Sequence, residues 1–216
     1  MSGWPTQADG KPTYPVGRAM AWLALLGAVF VLGYSSTNAR AALLPTVARL
    51  GGPWDAWLPF WPWTLLPYLS LNLIYPCALL AQPTRAALDR LALRLAAVQL
   101  ACLAVFWLWP TGATRQPPAL TGPWGLLYAQ LRAFEQPFNL FPSLHVAVLV
   151  LAWHALTPAL PAVARWAWHG WCVLILVSTL TTWQHDLIDV AGGLAVGLVA
   201  LAWRPPRIKR CLSGVG

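Results

Sequence analysis

NLFPSLH, residues 139–145, is followed directly by a long apolar run. Proline is tolerated in the first turn of a helix, so Pro142 predicts that a helix begins here, with Asn139 as its N-cap. Free backbone N–H groups and the positive end of the helix dipole would then point out of the helix. With Ser143 and His145 in the same turn, the stretch is typical of a site that binds a phosphate.

The composition indicates a membrane protein. Of the 216 residues, 58% are hydrophobic and only 9% are charged, which is more apolar surface than a soluble domain of this length can bury. The 15 Trp residues suit the aromatic belts at the two membrane interfaces. The four cysteines are scattered and lack the spacing of a zinc site or a disulfide framework.

Apolar runs of about 20 residues predict six transmembrane helices. These spans cover approximately residues 16–34, 61–82, 91–109, 140–160, 166–183 and 187–203. Residues 35–50 are interpreted as an interfacial amphipathic helix, and residues 110–139 as a polar segment that prolines interrupt. We therefore expect an all-α bundle over residues 16–203, with an N-terminal tail of residues 1–15 and a basic C-terminal tail of residues 204–216.

The distribution of positive charge predicts how the bundle is oriented. Six spans place both tails on one side of the membrane. Four basic residues fall on the opposite side, which leaves ten of the fourteen Lys and Arg on the side of the tails; the four are Arg40, Arg49, Arg115 and Arg132. The positive-inside rule therefore predicts cytoplasmic termini. The net charge of +8 then faces anionic lipids, so we expect membrane lipids as partners and no nucleic acid, while the oligomeric state stays open.

His185 and Asp189 are four residues apart at the predicted junction of the fifth and sixth spans. On a helix this spacing places both side chains on one face. Asp189 would accept the Nδ1–H of the imidazole and leave Nε2 free to act as a nucleophile or base. The start of the fourth span lies on the same side of the membrane, so His145 can meet His185 although they are far apart in the sequence.

Two histidines on opposite sides of a phosphate suit phosphoryl transfer, because one can attack phosphorus while the other protonates the leaving oxygen. A metal site held by the two histidines and Asp189 is the competing interpretation. It has less support, since no cluster of further carboxylates accompanies these residues. We therefore expect neither a metal ion nor another cofactor.

Both segments resemble the type-2 phosphatidic acid phosphatase superfamily, whose second and third motifs are Pro-Ser-Gly-His and Ser-Arg-x5-His-x3-Asp. Residues 142–145 match the second motif, with Leu144 in the place of glycine. Residues 178–189 match the third motif in spacing, with Thr179 in the place of arginine.

The first motif of that superfamily, Lys-x6-Arg-Pro, is degraded in this chain. Arg115, followed by glutamine, is the nearest match to Arg-Pro, and Leu108 occupies the place of the lysine. These departures, with the Trp- and Pro-rich run of residues 58–63 and the Leu-Pro-Tyr that ends at Tyr68, resemble the branch that includes inositolphosphorylceramide synthases and related bacterial membrane proteins. The resemblance covers approximately residues 58–203.

The resemblance implies a role for each matching residue. His185 would be the nucleophile that forms a phosphohistidine, Asp189 would orient it, and His145 would protonate the leaving group. The residues expected to contact the substrate are Ser143, Arg115, Arg132, Ser178 and Thr179.

The resemblance also implies a metal-independent enzyme that acts on a lipid phosphate or pyrophosphate at the outer face of a plasma membrane, which we expect to be a bacterial inner membrane. Water as the acceptor would make it a phosphatase, and an alcohol would make it a phosphotransferase. One alternative is transfer of an inositol-phosphate-type head group to a lipid acceptor. Another is a non-catalytic lipid-binding or transport protein with the same fold, which the loss of two of the superfamily's three basic phosphate-binding residues favours.

Overall fold

The computed structural model describes residues 14–206, apart from the side chain of Phe134. This part of the chain contains no β-strand, which confirms the predicted all-α class. Its helices are α1 (Val16–Ala42), α2 (Leu65–Leu80), α3 (Arg85–Leu108), α4 (Gly122–Phe134), α5 (Leu144–Leu156), α6 (Ala162–Thr181) and α7 (Leu187–Ala202). Short 3-10 turns occur at Pro53–Trp57, Pro62–Thr64 and Thr157–Ala159. The predicted tails, residues 1–15 and 204–216, lie almost entirely outside the described residues.

Four helical segments are long and apolar enough to cross a membrane. They are α1, the segment Pro62–Leu80 that contains α2, α3 and α6. Two further apolar helices, α5 together with the turn that follows it and α7, are shorter. These lengths fit a membrane protein. That α5 and α7 also span the membrane, to give six spans, stays a prediction.

Contacts between helix termini define one end of the bundle, which we call the basic end. The Arg18 guanidinium of α1 pairs with the Asp89 carboxylate of α3. Arg94 of α3 donates a hydrogen bond of 2.8 Å to the carbonyl of Trp203, which follows α7. The start of α1 and the end of α7 therefore lie at the same end of the bundle. Its cytoplasmic location stays a prediction.

The opposite end, which we call the histidine end, joins the C-terminal ends of α1 and α6 to the N-terminal ends of α2, α5 and α7. The Thr64 and Thr181 hydroxyls, beside α2 and in α6, are 2.9 Å apart. The backbone N–H of Ser143 donates to the Asp189 carbonyl over 3.0 Å and so ties α5 to α7. The predicted meeting of the fourth span with the junction of the last two therefore matches the observed packing.

Helices α5 and α7 pack closely because glycines of α7 face α5. A Cβ at Gly193 would clash with the Ser143 carbonyl oxygen and would lie 2.9 Å from the Cβ of Val146. A Cβ at Gly197 would lie 2.9 Å from the Cβ of Val150. In a lipid environment, helices associate through such close van der Waals contact, and small residues permit it. This contact sets the spacing between the elements that carry His145 and Asp189.

Gly193→Ala should therefore destabilise the bundle by about 1–3 kcal/mol, as overpacking typically does. The matched control is Gly170→Ala in α6, where an added Cβ would meet no atom within 4 Å. We expect the thermal unfolding midpoint in detergent to fall for Gly193→Ala and to stay unchanged or rise for Gly170→Ala, since alanine favours a helix. Equal midpoints for the two variants would show that the α5–α7 contact does not limit stability.

Helix α1 is longer than predicted. The expected span of residues 16–34 and the separate interfacial helix of residues 35–50 are replaced by one helix that ends at Ala42, and residues 43–52 are not helical. The polar residues after Tyr34 remain helical because the Ser36 and Thr37 hydroxyls donate to the Gly33 carbonyl, each over 2.9 Å. The polarity that suggested a break is thus satisfied within the helix.

Two local predictions around the NLFPSLH stretch are wrong. Helix α5 begins at Leu144, so Pro142 precedes it, and the N-cap is Ser143, whose hydroxyl accepts a 3.3 Å hydrogen bond from the backbone N–H of Val146. Asn139 has a positive φ of 59° and donates instead to the Thr37 hydroxyl over 2.8 Å. Its contact with α1 outweighs its preference for a helix cap.

Residues 110–139, which were predicted to be a polar segment interrupted by prolines, contain a helix. Helix α4 has Pro123 in its first turn, where a missing N–H costs nothing. Its buried Tyr128 donates a hydrogen bond of 3.0 Å to the Thr182 carbonyl at the end of α6. Helix α4 therefore packs at the histidine end, and Glu135, which follows α4 directly, lies there too.

Candidate active site

A cavity of about 180 Å³ lies at the histidine end and is lined by both His145 and His185. It extends between α1, α2, α3 and α5, as far as Gly27 near the middle of α1. The structure therefore places the two histidines singled out from the sequence at one cavity. Their catalytic roles stay predictions.

The Asp189 carboxylate lies beside the His185 ring. Its Oδ2 lies 3.7 Å from Nδ1 of His185 and accepts a 2.9 Å hydrogen bond from the backbone N–H of Asp186. The His185 backbone N–H donates to the Thr179 carbonyl over 3.0 Å, which fixes the ring's attachment point. The 3.7 Å separation is longer than a hydrogen bond. Catalytic contacts of this kind often tighten only when substrate binds.

The ring of His145 is held by stacking. It lies parallel to the Tyr68 ring, with centroids 4.1 Å apart and an interplanar angle of 7°. The Tyr68 hydroxyl donates a 2.7 Å hydrogen bond to Oε2 of Glu135. A chain of contacts thus connects α5, α2 and the residue that follows α4. Glu135 also lines the cavity.

Burial changes the ionisation of two carboxyl groups at the histidine end. The pKa of Glu135 is raised by burial, an effect that the Tyr68 hydrogen bond and the nearby His185 oppose. The pKa of Asp186 is also raised, first by burial, while a hydrogen bond from Thr114 and the charge of Arg115 oppose the shift. Both directions follow from the cost of placing a charge where water is excluded.

Arg115, the predicted source of positive charge, binds the loop that carries His185. Its guanidinium donates to Asp186 Oδ1 over 3.1 Å, to the His185 carbonyl over 3.0 Å and to the Asp55 carbonyl over 3.2 Å. It also lies over the Trp183 ring, 5.2 Å from the centroid. Arg115 lines a narrow crevice that shares His185 with the cavity. Whether it binds substrate as well stays a prediction.

Asp55 also holds this loop, a role that no sequence motif predicted. It is 1% exposed, and its Oδ1 accepts a 2.9 Å hydrogen bond from the first backbone N–H of α7, that of Leu187. Its Oδ2 accepts from the Gly52 backbone N–H over 2.7 Å. Asp55 and Leu187 are separated by most of the chain, so no local pattern reveals the contact.

The four remaining predicted substrate contacts are not among the described residues that line the cavity. Ser143, Ser178 and Thr179 are fully buried. The Ser178 and Thr179 hydroxyls donate to helix carbonyls, those of Ile175 and Leu176, over 2.6 and 2.7 Å. Arg132 lies in the last turn of α4, near Glu135.

Polar side chains from the middle of the predicted spans line the cavity, although they were not predicted as site residues. They are Asn72 and Tyr75 of α2 and Gln99 of α3. Polar residues inside spans are expensive and usually face a cavity or the bundle interior. That rule is the signal that could have identified them.

Comparison with known proteins supports the earlier resemblance. The sequence model of the PAP2 superfamily matches residues 63–203, which is more than half of the chain and includes both histidine segments. The chain belongs to the PAP2 superfamily. Comparisons with curated proteins and with solved structures gave no match. The membership of this PAP2 protein in the branch that includes inositolphosphorylceramide synthases stays a prediction.

Within the described residues of this PAP2 protein, no group of three or more His, Cys, Asp and Glu side chains could together hold a metal ion. Independence of metal stays a prediction, which turnover in the presence of a chelator tests.

Arg115→Ala should lower turnover by about tenfold or more, and by more than Arg132→Ala. The reason is that Arg115 makes charge-assisted hydrogen bonds to the loop that holds His185, and such bonds are each worth about 1.5–3 kcal/mol. Arg115→Lys should rescue little, because an ammonium cannot reproduce the planar contacts of a guanidinium. Initial rates at saturating lipid substrate provide the comparison. The opposite order of the two alanine variants would transfer the main role to Arg132.

Proposed function

We propose that this PAP2 protein is an integral membrane enzyme that transfers the phosphoryl group of a lipid phosphate or pyrophosphate through a phosphohistidine. The observation that carries the proposal is that His145 and His185 line one cavity at the same end of the bundle, with the Asp189 carboxylate 3.7 Å from Nδ1 of His185. A protein that used the fold only for support would have no need of this set.

In the proposed reaction, Nε2 of His185 attacks phosphorus and the bond from phosphorus to the leaving oxygen breaks. His145 donates a proton to that oxygen, so the lipid leaves as an alcohol, or as a phosphate if a pyrophosphate is cleaved. Asp189 keeps Nδ1 protonated, which directs the lone pair of Nε2 towards the substrate. The phosphoryl group then passes from His185 to water or to an alcohol.

This chain has few basic residues that could stabilise the negative charge on the phosphoryl group during transfer. Electrostatic stabilisation usually dominates phosphoryl transfer, yet Leu108 and Thr179 stand where the superfamily places basic residues. We assign this role to the N-terminal dipole of α5, to Arg115, which lines a crevice together with His185, and to Arg132, whose charge acts on Glu135. Fewer basic groups favour a phosphodiester, which carries a single negative charge, over a dianionic phosphate monoester.

The location follows from charge. We propose that the basic end faces the cytoplasm and that the histidine end faces the outside of a plasma membrane, in a bacterium the periplasm. There the head group of a lipid is hydrated while its tail remains in the bilayer. Transfer of an inositol-phosphate-type head group is the finer alternative at the same site. The absence of Lys and Arg from the described cavity lining supports a second candidate, a non-catalytic lipid-binding protein.

The test is turnover by the purified protein in liposomes. Phosphatidic acid, a polyprenyl pyrophosphate and phosphatidylglycerol are offered separately, with and without a chelator, and the released lipid product is measured. We expect release from at least one donor, unchanged by the chelator. No release from any donor would support the non-catalytic candidate, and release that the chelator abolishes would restore the metal-site interpretation.

A further inference from the structure

The cavity beside the histidines is rich in hydrogen-bond acceptors. The Glu135 carboxylate lines it, and although Oε2 already accepts from Tyr68, a carboxylate has about four acceptor positions. No Lys or Arg occurs among its lining residues in the described part of the chain. Such a lining favours an uncharged ligand that carries donors.

Two buried amides in the cavity lining show the same preference. The Gln99 and Asn139 residues are only 4% and 3% exposed. Their nitrogens are already used, by the Leu26 carbonyl over 3.4 Å and by the Thr37 hydroxyl over 2.8 Å. Their side-chain oxygens have no hydrogen-bond partner within residues 14–206. An unpaired buried acceptor is costly, so each oxygen calls for a donor from a ligand.

Other buried polar atoms of the lining also lack a hydrogen-bond partner. Buried polar atoms without a partner in the described chain occur on Tyr75 (Oη), His145 (Nε2) and His185 (Nδ1). A hydrocarbon tail would leave all of these atoms unpaired. Hydroxyl groups, each of which donates one hydrogen bond and accepts others, would pair with Tyr75 and His145. Nδ1 of His185 faces the Asp189 carboxylate at 3.7 Å.

We propose that this cavity binds an uncharged hydroxyl compound, an alcohol or polyol, as the acceptor of the phosphoryl group. Glu135 and Gln99 accept its hydroxyl protons, and one of its hydroxyls lies against Nε2 of His145. The inference rests on the phosphohistidine reaction proposed above. It makes this PAP2 protein a phosphotransferase, in which Glu135 and Gln99 determine the acceptor and His145 and His185 carry the chemistry.

The transfer step is balanced without any further reactant. The acceptor oxygen forms a bond to phosphorus as the bond between phosphorus and Nε2 of His185 breaks, and the electron pair of that bond returns to the ring. The acceptor's proton passes to Nε2 of His145, which gave up a proton when the lipid left in the first step. The two steps together consume one donor lipid and one alcohol. They release one new phosphoester and one lipid alcohol, or one lipid phosphate when the donor is a pyrophosphate.

The test measures how the phosphoryl group is divided between water and an added acceptor. Liposomes contain the protein and the donor lipid that turned over fastest in the panel above. Glycerol and myo-inositol are the uncharged probes, and glycerol 3-phosphate is the charged comparator. We expect phosphoester formation to saturate with an uncharged probe and to be weak with the charged one.

Two variants connect this division to the cavity. Glu135→Leu and Gln99→Leu should each raise the probe concentration that gives half-maximal transfer by about tenfold or more, as expected from loss of a buried hydrogen bond to the acceptor. The matched control is Gln82→Leu, since Gln82 is also buried but follows α2 at the basic end, where its Nε2 donates to the Ala78 carbonyl over 2.7 Å. Gel filtration checks that each variant is folded.

Each outcome has a distinct meaning. Lipid release with phosphate passing only to water, or equal use of the charged comparator, would overturn the acceptor site and leave the phosphohistidine enzyme standing. Transfer that both cavity variants perform as well as wild type would overturn the assignment of Glu135 and Gln99. No lipid release from any donor would overturn the proposed function, and this inference with it.

Discussion

His185→Ala should lower lipid release by at least about a thousandfold, because removal of a nucleophile eliminates the covalent route and leaves only what binding contributes. The ring lies in a buried loop and its backbone N–H bonds Thr179, so alanine leaves the loop's attachment intact. Release is measured in liposomes with the fastest donor, at equal amounts of folded protein.

The matched control for this variant is His154→Ala. His154 lies in the last turn of α5 and its side chain is exposed, so its loss removes an imidazole far from the cavity. We expect the control to keep the wild-type rate. Release by His185→Ala at a rate close to that of His154→Ala would remove His185 from the role of nucleophile.

His145→Ala should lower release by about 10²- to 10⁴-fold, the usual contribution of a positioned general acid. The size of the loss should depend on the leaving group. A p-nitrophenyl ester releases a stable anion, which needs no proton. The rate of release from that donor should therefore fall much less in His145→Ala than the rate from a donor that releases an alkyl alcohol.

This dependence separates chemistry from structure. His145 is stacked on Tyr68, so its removal could also disturb the cavity, but such a disturbance would affect both donors alike. Equal losses for the two donors would show that His145 supports the cavity and does not transfer the proton.

The sequence predicted the helices of the bundle well because an apolar run of about 20 residues is typical of a helix that crosses a membrane. It also predicted that His145 and His185 would lie at the same end, since that follows from the direction of successive spans. The errors concern segments whose polarity is satisfied locally. Thr37 remains in α1 by donating to a carbonyl of the preceding turn, and Pro123 occupies the first turn of α4.

The wall of the cavity could not be predicted from local sequence. Glu135 is close in sequence to Arg132, which suggests a surface ion pair, yet it accepts its hydrogen bond from Tyr68, 67 residues away. Tyr68 belongs to a run that resembles one branch of the superfamily, but nothing in that run indicates stacking on His145. Such contacts depend on which helices become neighbours, and hydropathy does not specify this.

Arg115 illustrates the same limit in its function. The motif suggested that Arg115 binds the phosphate, and this role stays a prediction. The acidic and carbonyl groups that surround it come from the loop at Asp55 and from the junction at Asp186, both distant in sequence. A positively charged side chain such as Arg115 can hold the loop that carries His185 as well as bind the substrate. The sequence motif does not distinguish these two roles, whereas tertiary contacts do.

The most direct test of the account is detection of the covalent intermediate. The protein is mixed briefly with the fastest donor lipid, quenched in base to preserve a phosphorus–nitrogen bond, digested and examined by mass spectrometry. We expect a phosphoryl adduct on His185, and none on His145 or on the His185→Ala protein. Turnover with no adduct on His185 under single-turnover conditions, or an adduct on a different residue, would contradict the claim that His185 carries the phosphoryl group.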